Sequence, residues 1–514
     1  MRDGRSRRYR LVWLAGGLIG PAPTLAQDRP PAAPDEAAAD TGDIVVTGQR
    51  LAGSAIGDIA PIAVLDETAI RSVGATSLKE LLDRLKPLTD SAGGGDPVIL
   101  LNGRRMSGFG DLYSLPPEAM ERTEVLSETE AARFGYPPTV KVLNFITKTQ
   151  FRGATVQLLP GTTTEGGGET HFGAVTAARI DGPRRVSISV SHLRLNPVVQ
   201  GERDITPDPD APGSAASAPY RSLQQRSDRV RVDGTVASPI GKAVDASLNL
   251  SMEAQRSRGF NGLAPLTDGT YQYRPDALLR QRTTDMTLHA GGIVQGGIRR
   301  WGWSVTSAYD RVRNTALSEQ AASVPVAGDV RDRFRSATVT DTVVTKAVVT
   351  GPAFAVPAGD VQVTVALDHA RSTSRDAGGG SGTGVAPRDL RRTTRGGSIN
   401  AALPITAPGQ GALGFLGRMG ATGTVGLSDV SAYGRLASAS YGLTWAPVRA
   451  VQLTALASDG RTPPAIALLT DPLVSVPNTP FFDFTTGVTV PVTAVLGGNP
   501  ALVPERRRIT QLGA

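Results

Sequence analysis

The sequence contains no cysteine. That removes disulfide scaffolds, thiolate metal sites and cysteine nucleophiles together. Aromatic residues make up only 5% of its 514 residues, too few and too scattered to interleave with basic side chains as a nucleic-acid surface requires. The four histidines, His171, His192, His289 and His369, lie far apart, and none stands in a His-Glu-x-x-His or similar ligand spacing. His171 and His289 fall on the polar phase of their strands and read as lining. No G-x-S-x-G elbow and no phosphate-cradling loop occurs. Gly93-Gly94-Gly95 lacks a strand–helix context and reads as a flexible turn. Beyond the first residues, no apolar run is long enough for a transmembrane helix. No catalytic residue, metal site, cofactor or nucleic-acid partner is expected.

What the chain does hold is turn formers and alternation. It has 59 glycines and 37 prolines against 40% hydrophobic residues, a balance that suits many strands and loops. The formal charge is +7. Residues 1–26 hold five arginines and one aspartate, so +4 of it lies there and +3 is spread over the other 488 residues. Arg2, Arg5, Arg7, Arg8 and Arg10 precede the apolar stretch 11–19, and Thr24-Leu25-Ala26 ends it with small residues. This is the pattern of a secretory signal, too short to span a bilayer. Residues 27–42, rich in Pro, Ala and Asp, carry no apolar face and read as a flexible tether.

From about Arg152 the period becomes two. Val186-Ser187-Ile188-Ser189-Val190-Ser191 alternates apolar residues with hydroxyls. Ala246, Leu248, Leu250 and Met252 interleave with Ser247, Asn249 and Ser251, and the pattern returns at Trp301–Trp303–Val305, Val361–Val363–Val365 and Tyr441–Leu443–Trp445. Strict alternation makes one apolar and one polar face. A polar face rich in Ser, Thr, Asn and Gly suits a water-filled lumen, with lipid outside. Many of these runs exceed the roughly 9–11 residues a tilted strand needs to cross a bilayer. Short turns are expected at Asp181-Gly182-Pro183, Ser238-Pro239-Ile240-Gly241, Gly296-Gly297 and Ala446-Pro447, and long polar loops at 196–226, 258–281, 317–333, 374–391 and 460–504. A soluble sandwich explains alternation but not this short–long rhythm. About 13 strands are countable, with another beginning at Glu505.

Between tether and strands lies a mixed segment. Asp43, Ile44, Val45, Val46 and Thr47 form a β-prone run with no local partner, able to add to another protein's sheet edge. Asp66 and Glu67 suit the first turn of a helix over 68–73. Thr76 or Ser77 can cap a second, with Leu78, Leu81, Leu82 and Leu85 at helical spacing and Pro87 as its stop. Strands are expected at 97–101, 121–126 and 140–147, with a turn at Asn102-Gly103 after the first.

The order of these pieces resembles the plug of the TonB-dependent outer-membrane receptors. The matching residues are Leu81-Leu82-Asp83-Arg84-Leu85, Val98-Ile99-Leu100-Leu101-Asn102-Gly103, Glu121-Arg122-Thr123-Glu124-Val125-Leu126, Phe134-Gly135, and Val142-Leu143-Asn144-Phe145-Ile146-Thr147-Lys148. The match spans 43–148. Gly498-Asn499-Pro500-Ala501-Leu502-Val503-Pro504-Glu505 resembles the segment entering a mid-to-late barrel strand in that family. The arginine-bearing motifs that help hold the family's plug in place have no obvious counterpart here. Arg122 and Arg133 are the candidate substitutes.

The resemblance implies an α+β plug domain over 43–150 followed by an antiparallel transmembrane β-barrel over 151–514, incomplete as written. It implies residence in the Gram-negative outer membrane, a TonB partner gripping Asp43–Thr47, lipid around the barrel, and uptake of a scarce small-molecule or metal-chelate nutrient such as a ferric siderophore. The loop after Asn102-Gly103 is the candidate ligand contact, through Arg104, Arg105, Phe109 and Tyr113. By resemblance it faces outward at the top of the plug. Arginines beside aromatics suit an anionic chelate or a polar ring. Rival readings are a passive porin or adhesin, a signalling receptor of the same architecture, which would need an extra folded domain before the TonB box that 28–42 is too short to hold, and a non-functional receptor fragment.

Overall fold

A computed structural model describes residues 61–513, apart from 76, 91–96, 107–112, 127, 137–139, 207–212, 267, 327–328, 380–387, 410–412, 449–450 and 471–473. The signal, the tether and Asp43–Thr47 therefore lie outside the described residues, as does Phe109.

The first described elements form a small α+β domain. Strand β1 (Ala63–Asp66) runs into helix α1 (Glu67–Ser72), where the Asp66 carboxylate accepts from the Ala69 amide at 2.7 Å. Helix α2 (Leu78–Arg84) is capped by Ser77, whose Oγ accepts from the Glu80 amide at 3.1 Å. Each cap satisfies an amide that the helix start leaves free. Pro87 does not stop the chain from turning helically, as the sequence reading expected. It sits in the first turn of a third short helix, α3 (Lys86–Thr89), the one helical position where a missing N–H costs nothing.

Four more strands follow: β2 (Val98–Leu101), β3 (Arg104–Arg105), β4 (Met120–Leu126) and β5 (Val142–Thr147). The sheet order is β1-β4-β5-β2-β3, with β2 and β5 parallel and the other pairs antiparallel. Both faces are covered. Ile70, Leu78, Leu81, Met120 and Phe145 pack in one cluster, and Val98, Leu100, Leu126, Ala131 and Val142 in another. Ala178 and Ile180 of the following sheet join the first cluster.

The rest is a meander. Its strands are β6 (Gln150–Gly161), β7 (Thr170–Asp181), β8 (Arg184–Leu195), β9 (Val198–Val199), β10 (Ser222–Gln224), β11 (Arg226–Ile240), β12 (Val244–Leu263), β13 (Leu278–Ile298), β14 (Trp301–Val326), β15 (Asp329–Val356), β16 (Gly359–Gly379), β17 (Arg388–Thr406), β18 (Arg418–Val430), β19 (Gly434–Val448), β20 (Val451–Thr462), β21 (Val474–Asp483), β22 (Val488–Leu496) and β23 (Glu505–Gly513). Fourteen of them make one sheet in which every pair is antiparallel. Strands β9–β10 and β21–β22 are two-stranded ribbons in long connections. Among the described residues β6 and β23 each pair on one side only. The segment at 498–505 leads into β23 as its motif suggests, and β23 pairs with β20.

Two adjacent registers show how the sheet sorts its side chains. Val349, Val365, Ile399 and Val425 face one another across four strands, each between 37% and 60% exposed. One step along, Thr350, Thr364, Asn400 and Thr424 make the companion row on the other face. Thr364 and Asn400 are buried there, and Asn400 Nδ2 donates to Thr424 Oγ1 at 2.9 Å. Apolar outward and polar inward is thus a property of paired strands, because pairing keeps the period-two phase in step.

Several local expectations are corrected. The turn expected at Gly296-Gly297 is at Arg299 and Arg300, since β13 continues to Ile298. The long loop expected over 317–333 is mostly strand, as β14 and β15 pair from Leu317–Arg335 onward through Ala321–Arg331. Its polar residues misled because a strand clear of an apolar layer has no apolar face to alternate. The short–long rhythm also breaks, first at the long-loop end between β14 and β15, which only residues 327–328 separate, and again further on. The connection 407–417 falls at the short-turn end and 431–433 at the long-loop end. His171 is not on the polar, inward phase. It shares the outward phase of β7 with exposed Val175, next to the long-loop end, where the phase count from the turn gives no guide to polarity.

Candidate functional site

The small domain lies against the inward face of the large sheet. The site is the seam between them, and it begins at the β2–β3 hairpin. Asn102 and Gly103 have φ of 53° and 73°. A two-residue hairpin needs both central residues in this left-handed region, and Asn-Gly supplies it at least strain. The Asn102 side chain accepts from the Thr147 amide at 2.9 Å and donates to Thr147 Oγ1 at 3.0 Å. The Gly103 amide donates to Asn144 Oδ1 at 2.7 Å, Asn144 Nδ2 to Glu124 Oε2 at 3.1 Å, and Arg122 Nε to Glu124 Oε1 at 3.1 Å. This buried chain of polar groups fixes the hairpin to the centre of its own sheet. Arg122 is thereby committed to Glu121 and Glu124 within the small domain, and Arg133 pairs with Glu130.

The hairpin aims two cations in different directions. Arg104 forms an ion pair with Asp245, the second residue of β12 after a short turn. Arg105 is 8% exposed and stacks on Tyr136, with its Cζ 4.9 Å from the ring centre and Nη2 donating to the phenol oxygen at 3.4 Å. From the sheet, Lys346 approaches the same ring at 4.9 Å and donates to the Gly135 carbonyl. Gly135 has φ of 71°, and a Cβ there would lie 2.9 Å from Val348. Both its backbone and its neighbours therefore require glycine.

Tyr113 is held differently. Arg231 of β11 lies 3.5 Å above its ring. Arg231 Nε and Nη2 donate to the two oxygens of buried Asp233 at 2.8 and 2.9 Å, and Nη1 donates to Glu253 at 3.1 Å. A cation so fully engaged at its edge presents its flat face to the tyrosine, the geometry in which the ring's negative face attracts it. Next to it, Ser114 and Ser187 hydroxyls are 2.8 Å apart.

Of the residues singled out from sequence, the structure thus separates three. Arg104 goes to the short-turn end, Arg105 under Tyr136, and Tyr113 to the inward face of β11. The hairpin that carries Arg104 sits at the short-turn end, whereas the expectation put the following loop at the opposite end. Residues 107–112 are outside the described residues. Sequence reasoning missed Arg231, Asp245 and Lys346. Their signal was present: Arg231 and Glu253 are charged residues on the inward phase of otherwise alternating strands, cross-strand partners in register. Elsewhere inward, His289 Nδ1 and Asp310 Oδ1 are 2.6 Å apart. Among the described residues no group of three His, Asp or Glu side chains could hold a metal ion.

No family model matches the chain, and no curated protein matches it. Solved structures do. The siderophore receptor PirA from Pseudomonas aeruginosa aligns with TM-score 0.54 at 15% identity, over 88% of this chain and 70% of that one. PirA from Acinetobacter baumannii gives 0.54 at 14%, over 88% and 67%. A variant of the ferric enterobactin receptor PfeA from Pseudomonas aeruginosa gives 0.55 at 13%, over 88% and 68%. At these identities the likeness shows the fold alone: a small α+β domain followed by a large antiparallel β-sheet, as in those solved structures.

Proposed function

We propose that the chain is an outer-membrane receptor that takes up a scarce nutrient under TonB control, with a ferric siderophore as the foremost candidate. The observation that carries this is the placement of the small domain, a plug, against the polar inward face of a sheet whose outward face is apolar. A passive porin has no use for a domain in its water path. A receptor that must bind tightly and release only on demand does. The outward rows of valine and isoleucine suit lipid contact, and Trp301, Trp303 and Trp445 lie toward the short-turn end of the same phase, where an interfacial aromatic girdle sits. The solved receptors of like fold are, by their descriptions, siderophore and ferric enterobactin receptors, and that supports the substrate class proposed for this chain.

In this reading Asp43, Ile44, Val45, Val46 and Thr47 add as a strand to TonB, which pulls on the plug. No catalytic residue is needed, because the energy comes from outside the chain. Arg104, Arg105, Phe109 and Tyr113 are the proposed ligand contacts, reached once the plug shifts and the Arg231–Tyr113 and Arg104–Asp245 contacts part. Uptake of a panel of radiolabelled ferric siderophores by receptor-deficient cells expressing the chain tests it. The expected result is uptake that disappears when residues 43–47 are deleted or the proton gradient is collapsed. Undiminished uptake after that deletion refutes energised import and leaves the passive pore.

A further inference from the structure

Two cavities, about 270 and 300 Å³, lie side by side at the short-turn end of the seam. Arg104, Arg105, Asp245 and Gln295 line both. Their combined lining holds five cationic side chains, Arg104, Arg105, Arg133, Arg185 and Lys242, against one carboxylate, Asp245. That carboxylate is already paired with Arg104, and Arg133 is paired with Glu130. Arg105 is the unusual member. It is more than nine-tenths buried, yet its Nε and Nη1 meet no hydrogen-bond acceptor among the described residues. A buried guanidinium with two idle donors is costly unless an anion reaches it. The two idle donors lie on different edges of the guanidinium, so each can give one charge-assisted bond to an oxygen of a carboxylate or phosphate.

We propose that these cavities form a binding site for a small free oxyanion of the carboxylate or phosphate class, with Arg105 as its buried cationic anchor and Lys242 at its mouth. Asp245, Gln295 and Arg185 share the inward phase of the sheet, which favours a free oxyanion over a lipid headgroup outside it. An anion seated here bridges the hairpin of the small domain to the β11–β12 turn, and so adds to the contacts that hold the two together. The proposal does not depend on the nutrient reading, since it is measured without uptake.

Calorimetric titration of the purified full chain in neutral detergent at low ionic strength, with inorganic phosphate and with citrate against chloride, tests it. Saturable binding of at least one oxyanion is expected. Arg105→Gln should weaken it by about tenfold or more, and exposed Lys242→Gln by about threefold, in line with loss of a charge-assisted bond and of a point charge respectively. Arg300→Gln, on a neighbouring turn and outside the lining, should leave it unchanged. If Arg105→Gln fails to fold, Arg105→Lys, which keeps the charge but loses the planar set of donors, takes its place and should also weaken binding. Absence of saturable binding beyond chloride, or equal binding by the wild type and the Arg105 and Lys242 variants, overturns the site.

Discussion

Asn102 sets the hairpin within the small domain: its backbone turns the hairpin that carries Arg104 and Arg105, and its side chain ties that hairpin to Thr147. Asn102→Gly keeps the left-handed backbone and removes only the side-chain bonds. It should cost about 1–3 kcal/mol, the penalty of leaving a buried amide partner unmet, and speed hydrogen exchange over 98–105. Unchanged exchange there contradicts the assignment. Glu67 offers a second residue-scale test. The Lys148 side chain donates to its carboxylate at 2.8 Å, and that bond, ahead of the attraction of Lys148 and Arg71 and against partial desolvation, holds its pKa below the ordinary value of 4.5. A carboxyl with a folded pKa below its unfolded one adds stability above the unfolded value, and loses it as pH falls through the folded one. Lys148→Gln should therefore destabilise the small domain near neutrality and have little effect in acid. A pH-independent difference between the two proteins would exclude this coupling.

At the scale of elements, the contacts between the small domain and the sheet include two cations over aromatic rings, Arg231 over Tyr113 and Lys346 over Tyr136, beside the apolar packing of Ala178 and Ile180. Tyr113→Ala removes the ring under Arg231, while the bonds of Arg231 to Asp233 and Glu253 remain. A desolvated cation–π contact is worth about 2 kcal/mol, so exchange in Leu115 and its neighbours should rise while β11 and β12 stay protected. Equal loss of protection in both would mean that the tyrosine supports the sheet itself. Strands β8, β12, β16 and β19 and the start of β14 were legible in sequence because one apolar face must repeat every second residue. So was the small domain's strand and helix order, through Asp66, Ser77 and Asn102-Gly103. The upper parts of β14 and β15 were not, since polar residues on both faces leave pairing without a pattern. Nor were the partners of Arg104 and Tyr113, because contacts between residues more than a hundred positions apart, such as Tyr113 with Arg231, follow from sheet curvature and not from local spacing.

At the scale of the molecule, the large sheet turns an apolar face outward and a polar face toward the small domain, and the proposed function puts the first against lipid. Ile399→Arg, on the outward row, should cost about 2–4 kcal/mol of stability in a bilayer, whereas Thr424→Arg on the inward row should disturb packing without that membrane-dependent penalty. The lack of cysteine allows a more direct measurement. Single cysteines placed at Val349, Val365, Ile399 and Val425, and at Thr350, Thr364, Asn400 and Thr424, can each carry one nitroxide in lipid vesicles. The outward four should be relaxed by oxygen and shielded from a water-soluble nickel chelate, and the inward four should be shielded from oxygen. Equal accessibility of the two rows, or nickel access along the outward row, would contradict a membrane-embedded receptor.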